Sequence, residues 1–288
     1  MHSDLGFISP VVARMAVQER IDLRLVKGSG LGGRITKQDL QNYLNDRELR
    51  QAVPGGEVKA SLIPHTPIRR QIAEHMRLSK QTSPHVTTMM EADLSRVVAH
   101  RQEHKPGFAE QGVNLTFTAY FLLVTASALR AYPNVNSSWM DEGILIHGEI
   151  NLGMATSLGE EGLIVPVIHK ADTLPLLEMA RSINDLATRA RLHQLKPEEV
   201  KGGTFTVTNH GISGSLFASP IINQPQCAIL GIGAIQKRVV VISAPDGSDL
   251  IAIRPMVYLS LTFDHRILDG EKADEFLMKV VKSLENFQ

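Results

Sequence analysis

Cysteine is almost missing from this chain: Cys227 is the only one in 288 residues, which excludes an intramolecular disulfide. No Cys or His cluster stands at metal-ligand spacing, so no metal site is expected. Charge of one sign is not in excess either. Lys plus Arg number 30 and Asp plus Glu number 30, which removes any overall field toward nucleic acid or an anionic membrane. No uncharged apolar run reaches bilayer-spanning length, so no membrane partner is expected. The first ten residues hold neither a basic nor an apolar segment, and no secretory signal is expected there. One free thiol fits a reducing compartment, the cytoplasm of a bacterium or the mitochondrial matrix of a eukaryote. A Gly-x-Ser-x-Gly elbow is also lacking, which leaves a serine hydrolase without its nucleophile.

What is present is 43% hydrophobic residues, enough for one large core and a small appendage. The appendage reads as residues 7–45. Ser9-Pro10 is an N-cap followed by proline at the first helical position, and Val12, Met15 and Ala16 then share one helical face. That helix is expected to stop near Arg20. Thr36 and Asp39 stand at capping-box spacing and open a second helix through Leu44. Between the helices, Gly28-x-Gly30-x-x-Gly33 matches a dinucleotide fingerprint in form alone, because no strand precedes it and the segment ends too soon for a βαβ unit. Residues 46–63, with Pro54-Gly55-Gly56, read as a linker.

Residues 64–288 alternate helix and strand patterns. Helices are predicted over 67–79, 116–131 and 174–192, with one more opening near Glu271. Strands are predicted over 85–93, 150–157, 163–168, 203–209, 228–236, 239–242 and 256–262. The expected fold class is α/β, a sheet with helices on one face, behind a small all-α unit.

Two segments carry chemistry. Leu259-Ser260-Leu261-Thr262-Phe263-Asp264-His265-Arg266 places a histidine just after an apolar strand, and Asp269-Gly270 follow. A neutral imidazole buried at a strand end accepts a thiol proton near neutral pH, and a nearby aspartate steadies the loop that aims it. The second segment is Gly203-Thr204-Phe205-Thr206-Val207-Thr208-Asn209-His210-Gly211, running on past Ser215 to Gly231. Thr208 is its candidate hydroxyl donor, and Asn209, His210 and Ser215 are candidate substrate contacts.

These residues resemble the lipoamide acyltransferase and chloramphenicol acetyltransferase superfamily. Pro67-Ile68-Arg69-Arg70, Tyr132-Pro133-Asn134-Val135-Asn136 and Gly159 to Ile168 extend the likeness across almost everything after Thr66. Ser9-Pro10, Asp22-Leu23 and Gly28 to Asp39 resemble the peripheral subunit-binding domain of 2-oxoacid dehydrogenase acyltransferases. The resemblance implies a chloramphenicol-acetyltransferase-like catalytic domain that forms trimers within a cubic or dodecahedral core. It also implies a hydroxyl and a histidine contributed by different subunits, and an arginine, Arg69 or Arg70, paired with Asp269. For the small domain it implies a basic surface that docks a 2-oxoacid decarboxylase or dihydrolipoamide dehydrogenase. Residues 1–45 carry six basic and four acidic side chains. Arg14, Arg34 and Lys37 are the docking candidates, although Ala13 stands where the family often has a basic residue. Asp39 is expected to hold the loop.

The reaction implied is acyl transfer between dihydrolipoamide and coenzyme A, with acetyl placed first and succinyl or branched-chain acyl, or a non-catalytic core-binding subunit, as alternatives. His265 would take the thiol proton and Thr208 would donate to the oxyanion. The lipoyl group is expected on a domain that this sequence lacks, since Glu271-Lys272-Ala273 opens a helix instead of sitting in a hairpin. Cys227, in an apolar run, is expected to be buried and inert.

Overall fold

A computed structural model of the chain describes residues 8–52, 60–159 and 162–288. It divides into two units, Met1–Pro64 and His65–Gln288.

In the first unit, Ser9 Oγ accepts from Val12 N at 3.3 Å and starts α1, Pro10–Gln18. Its left-handed exit residue is Arg20, with φ of 52°. The second helix, α2, is Lys37–Ala52. Val12, Ala16, Ile21, Val26, Ile35 and Leu40 make up the small core. The linker expected from residue 46 is thus helical as far as Ala52, because Asp46 to Ala52 contains no helix breaker before Pro54. The rest of that linker, through residue 59, lies outside the described residues.

The glycine loop is structural, as its lack of a preceding strand implies. A Cβ on Gly28 would sit 2.2 Å from Gly33 O, and Gly30 N donates to Arg34 O at 2.9 Å. Asp39 ties loop to helix, accepting from the Ser29 amide and hydroxyl and from the Thr36 amide and hydroxyl. These bonds, the Ser29 amide first, hold its carboxyl far below the usual range. Its stabilisation is therefore complete above the ordinary carboxylate value of about 4 and is lost as pH falls through the lower folded value. Asp39→Asn is expected to speed hydrogen exchange at the Ser29 and Thr36 amides at least about tenfold, and unchanged protection would show the loop to be held otherwise.

The second unit runs α3 (Pro67–Thr82), β1 (His85–Asp93), α4 (Ser95–Glu110), α5 (Phe117–Ala131), β2 (Ser137–Met140), β3 (Gly143–Ile146), β4 (Leu152–Met154), β5 (Thr156–Ser157), β6 (Leu163–Ile164), β7 (Val167–Ile168), α6 (Leu176–Arg191), β8 (Phe205–Asn209), β9 (Ala228–Ile232), β10 (Gln236–Ser243), β11 (Asp249–Asp264) and α7 (Gly270–Glu285). The main sheet has the order β1-β11-β9-β8-β4-β7, with β10 also paired to β11. Among the described residues only β8 pairs in parallel, with β4 and β9; the other pairings are antiparallel.

Alternation along the central strands separates two chemistries. Leu259, Leu261 and Phe263 of β11, Leu230 and Ile232 of β9, and Phe205 and Val207 of β8 join α5, α6 and α7 in one apolar core. The opposite face presents Ser260, Thr262 and Asp264, then Gly231, then Thr206 and Thr208. Segment 215–226 covers that polar face: Ser219 Oγ meets Thr87 Oγ1 at 2.6 Å, and Ile222 N donates to His85 Nε2 at 3.1 Å.

Helix α4 is absent from the predicted elements. Pro106-Gly107 interrupts it and only Val97 is fully buried, so its periodic signal is weak. The β2–β3 hairpin is absent from them too, and β11 begins seven residues before the predicted strand. The added length pairs with β10 to form an arm exposing Val239, Val241, Leu250, Ile251 and Ile253.

Candidate active site

Thr208 sits near the end of β8, half-buried, beside a cleft of about 590 Å³. The cleft lies between the start of α5 and the flank of α6, with Thr116, Asn184, Arg191 and Ile212 among its walls. No described residue shares a hydrogen bond with the Thr208 hydroxyl, which leaves it available to a ligand. Asn209 also lines the cleft, and its Oδ1 accepts from Gly211 N at 3.1 Å, shaping the turn that follows. His210 turns back over the polar face of the sheet. Its Nε2 stands 3.3 Å from where a Cβ on Gly231 would lie, and both ring nitrogens are buried without a hydrogen-bond partner among the described residues. Burial pushes its pKa down, opposed by the nearby Ser215 backbone. Ser215 itself is exposed and donates to Phe217 O at 3.2 Å. Ser215 is not a wall of the Thr208 cleft.

His265 follows the last residue of β11. The motif leads one to expect a buried imidazole; in the single chain it is exposed, its amide donating to Pro84 O at 3.0 Å and its ring 5.7 Å from that of Phe263. The carboxylate holding this loop is Asp264, not Asp269. Asp264 is 2% exposed and accepts from Ser83 Oγ at 2.8 Å, from Arg266 N at 3.0 Å and from Arg266 Nη2 at 2.6 Å. Burial raises its pKa, but the Arg266 side chain and amide together with Ser83 outweigh that, and the net direction is down. Arg266 in turn lies over the Trp139 ring at 4.8 Å.

Asp269 occupies the N-cap position of α7 without a side-chain capping bond. Among the described residues it forms no ion pair, and Arg69 and Arg70 are exposed on α3, so the expected pairing of either with Asp269 is replaced by Arg266 with Asp264. Sequence reasoning does not find Ser83, His85, Gln224 and Trp139 as supports of this loop. Gln224 Nε2 donates to Ser83 Oγ at 2.7 Å, and His85 Nδ1 donates to Ser83 O at 2.7 Å. No group of three or more His, Cys, Asp or Glu side chains suited to a metal occurs among the described residues. Cys227 is buried, and burial pushes its thiol up to about 12, so it is no nucleophile.

Strand register decides how the two halves can combine. Thr208 pairs with Gly231, and Gly231 with Ser260. His265 lies five residues beyond Ser260, which at about 3.4 Å per residue is about 17 Å along the strand. A rigid central sheet holds that separation, so one chain does not bring Thr208 and His265 together.

The family model described as 2-oxoacid dehydrogenases acyltransferase (catalytic domain) matches residues 57–288. The chain belongs to this acyltransferase family. A second model, the e3 binding domain, matches residues 6–41. Among relatives, this chain is 40% identical to the dihydrolipoyllysine-residue acetyltransferase component of the pyruvate dehydrogenase complex of Corynebacterium glutamicum, over 99% of this chain and 45% of the relative. It is 38% identical to the lipoamide acyltransferase component of the branched-chain alpha-keto acid dehydrogenase complex of Bacillus subtilis, over 96% of this chain and 70% of the relative. The chain thus spans less than half of the first relative's length. The crystal structure of Azotobacter vinelandii dihydrolipoamide acetyltransferase superposes with a TM-score of 0.74 at 30% identity, covering 81% of this chain and 96% of that one. That structure concerns the role of a serine, a histidine and an asparagine in catalysis.

Proposed function

We propose that this chain transfers an acyl group between dihydrolipoamide and coenzyme A at a site completed by two subunits. The observation that carries this reading is the pair of half-sites at opposite ends of one sheet, a free hydroxyl at Thr208 and an uncovered imidazole at His265, in a chain of the acyltransferase family. In the Azotobacter enzyme the asparagine lies four positions after the histidine, the spacing of Asp269 from His265 here. Asp269 has no partner of its own among the described residues, which leaves its carboxylate for a group across the interface.

His265 takes the proton from the coenzyme A thiol as the thiolate attacks the acyl carbonyl of acyl-dihydrolipoamide. Thr208 of the adjoining subunit donates to the tetrahedral oxyanion, and His265 returns the proton to the departing dihydrolipoamide sulfur. No covalent acyl-enzyme is needed, because holding two thiols end to end supplies the proximity. The subunits associate as trimers within a cubic or dodecahedral core. The small unit, through the exposed Arg14, Arg34 and Lys37, docks dihydrolipoamide dehydrogenase or the 2-oxoacid decarboxylase by charge complementarity.

Acetyl is the proposed acyl group, supported by the 40% identity to the Corynebacterium acetyltransferase; the 38% identity to the Bacillus branched-chain enzyme keeps branched-chain acyl as the second reading. Reverse transfer to dihydrolipoamide from acetyl-CoA, succinyl-CoA and isovaleryl-CoA tests both levels. Acetyl-CoA is expected to exceed the others at least about tenfold in kcat/KM. Preference for another donor overturns the acyl assignment, and no transfer from any donor overturns the activity.

A further inference from the structure

Buried polar groups without partners are rare in native proteins, because each has given up its hydrogen bonds to water and gained none in return. Three such atoms gather on the polar face of the sheet, the two ring nitrogens of His210, which the Ser215 backbone approaches without reaching hydrogen-bond geometry, and the hydroxyl of Ser260; none has a partner among the described residues, and Ser260 is 1% exposed. Their common neighbour is Gly231. A Cβ there would lie 2.5 Å from Ser260 Oγ and 3.3 Å from His210 Nε2, so the imidazole and the hydroxyl share the space that glycine leaves open.

Register places a third group in the same row. Thr208, Gly231 and Ser260 are successive cross-strand partners on β8, β9 and β11, and alternation puts all three on one face. Thr208 and Ser260 are therefore two strand spacings apart, about 9.6 Å between backbones, with the ring above the middle strand. An imidazole with a hydrogen bond of about 2.8 Å at each nitrogen spans that gap once two short side chains lean inward. A Cβ at position 231 would occupy the ring's seat.

We propose that His210 is a positioning residue for the Thr208 hydroxyl: in the loaded site Ser260 donates to one ring nitrogen, and the other ring N–H donates to Thr208 Oγ1. The inference rests on the acyl-transfer reading above. Neutral imidazole has one acceptor and one donor nitrogen, and this order of bonds satisfies both. It also leaves the Thr208 proton free for the oxyanion and polarises the hydroxyl through a chain of aligned donors. No proton leaves the chain in this role. His210 is thus distinct from His265, which exchanges a proton with the thiols.

A double-mutant cycle on the whole assembled chain tests this. Thr208→Ala is expected to lower kcat about 100-fold, the usual loss for one oxyanion donor. His210→Ala is expected to lower kcat about tenfold with KM for coenzyme A and dihydrolipoamide unchanged, and His210→Asn, which keeps a donor and an acceptor, to recover part of that loss. In the Thr208→Ala background, His210→Ala should cost less than about twofold, because its effect passes through the missing hydroxyl. A structural role gives instead the same loss in both backgrounds, and that result overturns the proposal, as does a kcat for His210→Ala within about twofold of wild type. If His210→Ala does not assemble, Ser260→Ala takes its place, expected to lose activity only where Thr208 is present. Absence of transfer by the wild-type chain would fail the acyl-transfer reading itself, whereas wild-type turnover with additive losses would fail this inference alone.

Discussion

His265→Ala is expected to lower turnover about a thousandfold while leaving the fold as stable as before, since a positioned general base contributes about 10² to 10⁴. The separation of effects follows from where the imidazole stands. Its ring is exposed and hydrogen-bonded to no described residue, so removing it opens no cavity and strands no buried partner. The loop around it is held through the amide of residue 265 and the Asp264 carboxylate, both of which survive the substitution. Steady-state kcat beside a thermal melt checks this. A rate within tenfold of wild type would remove His265 from the chemistry.

Asp264→Ala should do the reverse damage, striking stability and activity together. Asp264 is buried, and it fastens the Arg266 guanidinium, the Arg266 amide and the Ser83 hydroxyl. Losing one partner of a buried pair costs about 3 kcal/mol, and here it also frees the turn that aims His265. Acid produces a milder form of the same change. Because the folded carboxyl lies below its ordinary value of about 4, its contribution is complete above that pH and disappears as pH falls through the lower folded value. Denaturant midpoints for wild type and variant across pH 3 to 7 are expected to converge at the acid end. Parallel curves would assign the carboxylate no net role in stability.

Local chemistry is legible in the order of residues alone. Ser9 with Pro10, and Thr36 with Asp39, announce helix starts through side-chain caps that need only neighbouring residues. The period of two along 256–262 likewise reveals which residues of β11 meet the core. Contacts that join distant segments are not legible in this way. Spacing shows that a carboxylate belongs near His265 but not which one turns inward, and Asp264 is chosen by Ser83, 181 residues earlier. The same reason explains Arg266 in place of Arg69 or Arg70: a guanidinium two positions away reaches Asp264 directly, and only the folded chain brings Trp139 beneath it. The place of His210 above Gly231 likewise depends on the register of three strands.

The about 17 Å between Thr208 and His265 on one sheet is what demands two chains at each site. Chains carrying His265→Ala and chains carrying Thr208→Ala, unfolded together and reassembled in equal amounts, put this to a direct test. Random mixing in a closed ring brings an intact histidine against an intact threonine at about a quarter of the interfaces, so about a quarter of wild-type turnover should return from two nearly inactive parents. Turnover no greater than the sum of the two parents would mean that each chain holds a complete site, contradicting assembly across subunits.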